Sequence, residues 1–164
     1  MQRCDECGFV YDEDAAPDAG EAITTAADEV ARVLDEGAAD LATRRRPELW
    51  SALEYGCHVR DVLLVQRERV LLARRQDRPS FVPMGRDERV DHDGYADQRP
   101  ADVARQVRDA AALFANVLGR LGPDWDRTAT YNYPEPTERS LRWIAVHTVH
   151  EVQHHLEDIR RQLG

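Results

Sequence analysis

The sequence predicts an all-α protein, a four-helix bundle preceded by a short cysteine-bearing arm. Three observations carry this prediction. Apolar residues recur at three- and four-residue spacing in four separate stretches, no stretch keeps a convincing strand period, and proline and glycine cluster between the stretches. With 164 residues, 42% of them apolar and 32% charged, the chain is about one domain with enough apolar material for a single core. One long connection between the second and third helices completes the bundle pattern.

Residues 1–22 read as an arm, acidic and broken by Pro17 and Gly20, and residues 23–164 as the bundle. The first helix starts at about Thr24, on the repeat Ile23, Ala26, Ala27, Val30, Val33, Leu34; Thr25 with Asp28 suggests a capping box, and Gly37 marks its end. The second opens with the capping box Ser51-x-x-Glu54, with Trp50 placed for a hydrophobic staple, and runs to about Arg75; a start at Pro47 is the alternative. Arg78–Arg99 is a long connection, functional or a crossover. The third helix has Pro100 as its first residue and runs to Gly122-Pro123. Asp124–Pro136 is a loop holding Trp125, Tyr131 and Tyr133. The fourth helix runs from about Thr137 almost to Gly164.

Acidic residues outnumber basic ones 31 to 22, a net charge of −9, which argues against a nucleic-acid surface. Every basic residue among the 22 is arginine. A lysine Schiff base and a P-loop, which need a lysine, are therefore excluded. The longest apolar runs fall far short of the roughly 20 residues that span a bilayer, and Met1–Asp5 shows no apolar signal region. Three cysteines, Cys4, Cys7 and Cys57, are too few for a disulfide scaffold. These bounds describe an acidic, cytoplasmic, soluble domain, monomer or homodimer, with a small-molecule partner and neither membrane nor nucleic acid.

The chemistry concentrates in His147–Ile159, where four of the six histidines fall within nine positions. Helix propensity gives no reason for such a cluster, and metal binding does; a solvated polar face with one core histidine is the alternative. His150-Glu151-x-x-His154 matches H-E-x-x-H. The metzincin extension, however, wants a glycine at position 157 and a histidine at 160, where this chain has Glu157 and Arg160. At about 100° per residue, Leu141, Ile144, Ala145, Val152, Leu156, Ile159 and Leu163 form one aliphatic face. His155 and Glu151 lie on one flank, about 60° and 100° from its centre, whereas His150 and His154 lie about 150° away. Glu151 and His155 are also four apart, so both reach one ion. His58, the lone histidine of the second helix, sits between Leu53 and Val62 and completes an inner set of three ligands with open coordination positions.

These residues resemble the DinB-like metal-binding four-helix proteins, a family that includes thiol-dependent enzymes such as mycothiol-dependent maleylpyruvate isomerase. The resemblance rests on Trp50-Ser51-x-x-Glu54-x-x-x-His58-Val59-x-Asp61 and on Glu151-x-x-x-His155-x-x-x-Ile159, and covers Ile23 to the C-terminus. It implies an up-down-down-up bundle and a metal on His58, Glu151 and His155. It also implies a divalent metal, zinc, working with a low-molecular-weight thiol such as mycothiol in a transferase (thiol S-transferase) or isomerase. The alternatives are a non-catalytic zinc-binding stress-response protein and a metal-dependent hydrolase, in one form of which Glu151 is the base beside His150 and His154. No catalytic residue beyond the ligands is assigned.

Cys4–Asp12 is similar to the first knuckle of rubredoxin, but the chain has no second C-x-x-C-G knuckle, which rules out an iron tetrathiolate within one chain. Cys4 and Cys7 need other partners, and His150 and His154 supply the H-x-x-x-H half of a Cys2His2 structural zinc, with His147 as the spare. The alternative is an arm with free thiols or a redox pair. Cys57 is expected to pack as a small apolar residue. Phe81-Val82-Pro83-Met84 and Tyr131-Asn132-Tyr133-Pro134 either line a substrate pocket or pack on helix ends. Arg44–Arg46 reads as a solvated linker.

Overall fold

Helix α2 shows most clearly how local sequence sets an element. In the computed structural model, which describes residues 2–37 and 40–164, α2 spans Ala52–Arg75. The Glu54 amide donates to Ser51 Oγ (3.1 Å) and the Ser51 amide donates to Glu54 Oε2 (2.7 Å), closing the expected capping box. Trp50 and Tyr55, at the two staple positions, pack with ring centroids 5.5 Å apart. Arg44 departs from the expected solvated linker, for its guanidinium forks onto the buried Glu54 carboxylate with two 2.8 Å bonds.

The other helices are α1 (Ala19–Asp35), the short α3 (Arg86–His92), α4 (Pro100–Leu118) and α5 (Leu141–Leu163). Helix α1 begins five residues earlier than the apolar repeat indicated, inside the segment read as the arm. A 3-10 helix, Glu13–Asp18, capped by Asp12, feeds directly into it, and Tyr11, Ala16 and Ala19 join the same core as the bundle. Thr25 and Asp28 are therefore interior helical residues and form no capping box; Asp28 pairs instead with Arg108 on α4 (2.9 Å). The long connection is also not structureless, since it holds a strand, α3 and a 3-10 turn.

The helical bundle is as expected, and a small three-stranded sheet adds to it in segments where no strand period is legible. Strand β1 (Ser80–Phe81) pairs parallel with β2 (Thr128–Asn132), which pairs antiparallel with β3 (Pro136–Ser140). Only Ala129 and Tyr131 of β2 are buried, two alternations in all, and β3 buries nothing; neither is long enough to declare a period. The fourth bundle helix accordingly starts at Leu141 and not Thr137, with Ser140 Oγ accepting from the Trp143 amide at 2.9 Å. Helix α4 ends at Leu118, short of Gly122-Pro123, and a 3-10 turn follows.

The sheet reveals the bundle's direction. Arg127, beyond α4, donates to the carbonyls of Ala73 and Gln76 at the end of α2, and β1 runs parallel beside β2, so α2 and α4 finish at the same end. Helix α5 departs from that end, its Leu141 amide donating to Arg127 O at 2.9 Å, and is antiparallel to both. Gly20 lies against Ala115 while Asp35 meets Arg108, so α1 opposes α4 and runs with α5. The order is up-down-down-up. Helices α1 and α2 face each other across the diagonal, each packed on α4 and α5. Among the described residues no helix is long and apolar enough to cross a membrane.

Candidate metal centre

The seam between α2 and α5 gathers the residues that the helical period singles out. His58, 2% exposed, projects from α2 into this seam. His58, Glu151 and His155 each bring one nitrogen or oxygen within 4.8 Å of the other two. The His58 and His155 rings meet edge to face at 4.8 Å, and His155 Nε2 lies 3.7 Å from Glu151 Oε2. Trp50 and Tyr55, fixed by the staple, pack on His58 and His155 at 5.1 and 5.5 Å. The cap of α2 thus also builds the wall behind the site.

The second nitrogen of His155 has its own partner. Nδ1 donates to Asp158 Oδ2 at 3.0 Å, which orients the ring and directs Nε2 at Glu151. Asp158 was not singled out in the sequence, although its i,i+3 spacing from His155 would have allowed it. His58 Nδ1 is buried and has no hydrogen-bond partner among the described residues. An orphaned imidazole nitrogen beside a carboxylate and a carboxylate-anchored histidine is the donor set that zinc takes.

The electrostatics follow from burial and these contacts. Burial pushes His58 down to about 3, so its imidazole is neutral and has a lone pair to offer. Burial opposes a charge on His155 as well, but the Asp158 and Glu151 carboxylates outweigh it and lift the ring to about 9. Burial would raise the Glu151 carboxyl, yet His150 and His155 hold it well below the usual range. Replacing Asp158 by asparagine is expected to lower divalent-metal affinity by about 10–100-fold, measured by competition with a chelator. Unchanged affinity would remove Asp158 from the site.

A cavity of about 320 Å³ opens beside these donors, lined by His58, Glu151, His147, Val62, Gln66, Arg69, Pro83, Met84, Tyr131 and Tyr133 among others. Both loops considered as pocket walls therefore contribute, although Phe81 goes to the core and Val82 to solvent. A second cavity, of about 800 Å³, lies against His154, His155 and Asp158 and is edged by both arginines (Arg45, Arg46, Arg86, Arg161) and carboxylates (Glu6, Glu48, Asp87). Cys57 is fully buried against Tyr95 and Gln98, as a small core residue.

The helical period separates the histidines only in part. His150 and His154 group with Cys4 and Cys7, again within 4.8 Å, but His150 Nδ1 still lies 3.5 Å from Glu151 Oε1 and His154 also stands within 4.8 Å of His155 and Asp158. His147 belongs neither to the inner three nor to the outer four, although one of its nitrogens also comes within 4.8 Å of His150 and Glu151. Its Nδ1 receives Tyr11 Oη at 2.9 Å and its Nε2 lies 3.7 Å from Glu151. Tyr11, from the arm, also meets His150 Nδ1 at 2.9 Å. No local sequence signal marks Tyr11, because its partners lie more than 130 positions away.

A family model for the DinB superfamily matches residues 21–159. The chain belongs to the DinB superfamily. Among solved structures this DinB chain is similar to YfiT from Bacillus subtilis, described as a probable metal-dependent hydrolase with an unusual four-helix bundle topology. The match has a TM-score of 0.74 at 14% identity and covers 100% of this chain and 94% of that one. No curated protein matches the sequence. The up-down-down-up order traced above is the one that the resemblance implied.

Proposed function

We propose that this DinB protein is a metal-dependent transferase or isomerase in which His58, Glu151 and His155 hold a divalent cation, zinc, and a small thiol is the nucleophile. The observation that carries this reading is that the three donors converge where two cavities approach, His58 and Glu151 in the wall of the 320 Å³ cavity and His155 in the wall of the 800 Å³ one. Three protein ligands leave a zinc ion an open position, which a purely structural site does not keep. When bound, such a metal lowers the pKa of a coordinated thiol and holds the thiolate where it can attack.

The chain's own residues do the rest. His58 stays neutral through burial, and Asp158 keeps the His155 ring aimed. Glu151 serves as a ligand and not a general base, since its carboxylate is engaged by His155 and His150. Met84, Val62 and Tyr131 offer apolar walls for a small acceptor, and Arg69 offers a cation for a carboxylate on it. The larger cavity on the other side of His155 has room for the body of the thiol, beside a mixed lining of arginines and carboxylates.

A hydrolase with water as the nucleophile is the second reading, favoured by the likeness to YfiT, described as a probable metal-dependent hydrolase. Zinc-loaded protein assayed with electrophilic acceptors, with and without added small thiol, separates the two. Product formed only with thiol is the expected result; ester or amide cleavage without thiol would overturn it in favour of hydrolysis. Glu151→Gln is expected to lose metal together with turnover. Metal retained while turnover disappears would make Glu151 a base.

A further inference from the structure

The arm presents a second donor set whose geometry the inner site does not use. Cys4 and Cys7 sit on a tight knuckle: the Gly8 amide donates to Cys4 O and the Cys4 amide to Phe9 O, both at 2.9 Å. Gly8, at φ +75°, supplies the left-handed residue that the turn needs. An antiparallel bridge, Arg3 to Val10, closes the hairpin. The Cys7 and Glu6 amides face the Cys4 sulfur, an arrangement that favours a thiolate.

Across from the knuckle, His150 and His154 each use one ring nitrogen on a polar neighbour and leave the other without one. His150 Nδ1 meets Tyr11 Oη at 2.9 Å, and His154 Nε2 lies 3.3 Å from Glu6 and 3.6 Å from Asp158. His150 Nε2 and His154 Nδ1 are buried with no hydrogen-bond partner among the described residues. This is the state of a ligand imidazole, one nitrogen anchored and the other free. One atom from each of the four residues falls within 4.8 Å of every other. Zinc bonds of about 2.0–2.3 Å give tetrahedron edges of roughly 3.3–3.8 Å, so sub-ångström to ångström movements close the set.

We propose that Cys4, Cys7, His150 and His154 bind a structural Zn2+, separate from the centre on His58, Glu151 and His155, that pins the N-terminal arm to α5. Four protein ligands leave no open position, so the site has no catalytic role. Binding releases the two thiol protons to solvent. The staple also sets Tyr11, whose single hydroxyl proton can serve only one of its two imidazoles. With His150 donating from Nδ1, Tyr11 donates to His147 Nδ1, and the Nε2–H of His147 is directed to the Glu151 side of the cavity. The arm thereby orders one wall of the inner site through a chain of hydrogen bonds.

Cobalt substitution of the full-length, untagged protein tests this. Expected are a thiolate-to-cobalt charge-transfer band in the wild type and in His58→Ala, its loss in the Cys4→Ser/Cys7→Ser double variant, and a zinc content one ion per chain lower in that variant. A wild type without the band, or a double variant that keeps its zinc, would overturn the site and leave a free or redox-active thiol pair. Titration of wild-type zinc protein with an organomercurial needs no folded variant: zinc released as two thiols react supports the site, and thiols reacting without zinc release contradicts it. Because His58→Ala removes the inner ligand alone, failure of the outer site and failure of the inner one give different results.

Discussion

His58→Ala is expected to abolish turnover and to weaken metal binding at the inner site by more than the about 10–100-fold that losing an outer-shell partner costs. Glu151 and His155 come from one turn of α5, and two ligands on a single helix cannot enclose an ion without the third from α2. The substitution also deletes a side chain that is 2% exposed and packed on Trp50 and His155, so some stability is lost as well. Two measurements together separate these effects. Thermal unfolding of metal-free protein reports the packing loss, and chelator competition at a temperature where the variant is folded reports the ligand loss. A folded His58→Ala protein with wild-type affinity for two metals per chain would remove His58 from the centre.

The second large effect is at Asp61, which stands three residues beyond His58 and carries no part of the proposed chemistry. Its buried carboxylate accepts from Arg60 Nε (2.8 Å), Arg89 Nη1 (3.1 Å) and Tyr95 Oη (2.6 Å). Arg60 is itself buried and continues to Gln98, Gln106 and Asp93. The network ties α2 to α4 and to the connection that carries α3. Removing one partner of a buried ion pair leaves the other uncompensated, and Asp61→Ala is expected to cost about 3 kcal/mol, the low end of the usual range because Asp93 still meets Arg60. The sign of the pH dependence follows. Burial would raise the Asp61 carboxyl, but Arg60 and Tyr95 hold it below its ordinary 3.8. The stabilisation is therefore complete above pH 3.8 and is lost as the pH falls from there through the folded-state value. Denaturant unfolding should show wild type losing stability faster than Asp61→Asn in that acid window. Parallel acid profiles would show that Asp61 contributes no linked stability.

What the sequence made legible, and what it hid, divides along the range of the interactions. The separation of Glu151 and His155 from His150 and His154 was readable because a helix fixes side-chain direction every 100° or so, whatever surrounds it. Ser51, Glu54 and Trp50 were readable for the same reason, each acting within four residues. His58 stood out as the one histidine on a well-capped helix. The small sheet was hidden because β1 has two residues and β2 buries only two, while their pairing joins positions 50 apart. Tyr11 and Trp143 stack at 5.9 Å although 132 positions separate them, a contact that no local window of sequence contains. The early start of α1 was hidden by a 3-10 turn whose buried Ala16, like Ala19 at the start of the helix, is small enough to look like linker.

Anomalous X-ray diffraction from crystals of the zinc-loaded protein tests the central claim most directly, because it locates the ion without reference to activity. The account predicts an anomalous peak enclosed by His58, Glu151 and His155, facing the cavity that Met84 and Tyr131 line. No peak at His58, with a zinc ion held by His150 and His154 without Cys4 and Cys7 and with Glu151 free beside it, would contradict the account and restore the H-E-x-x-H reading.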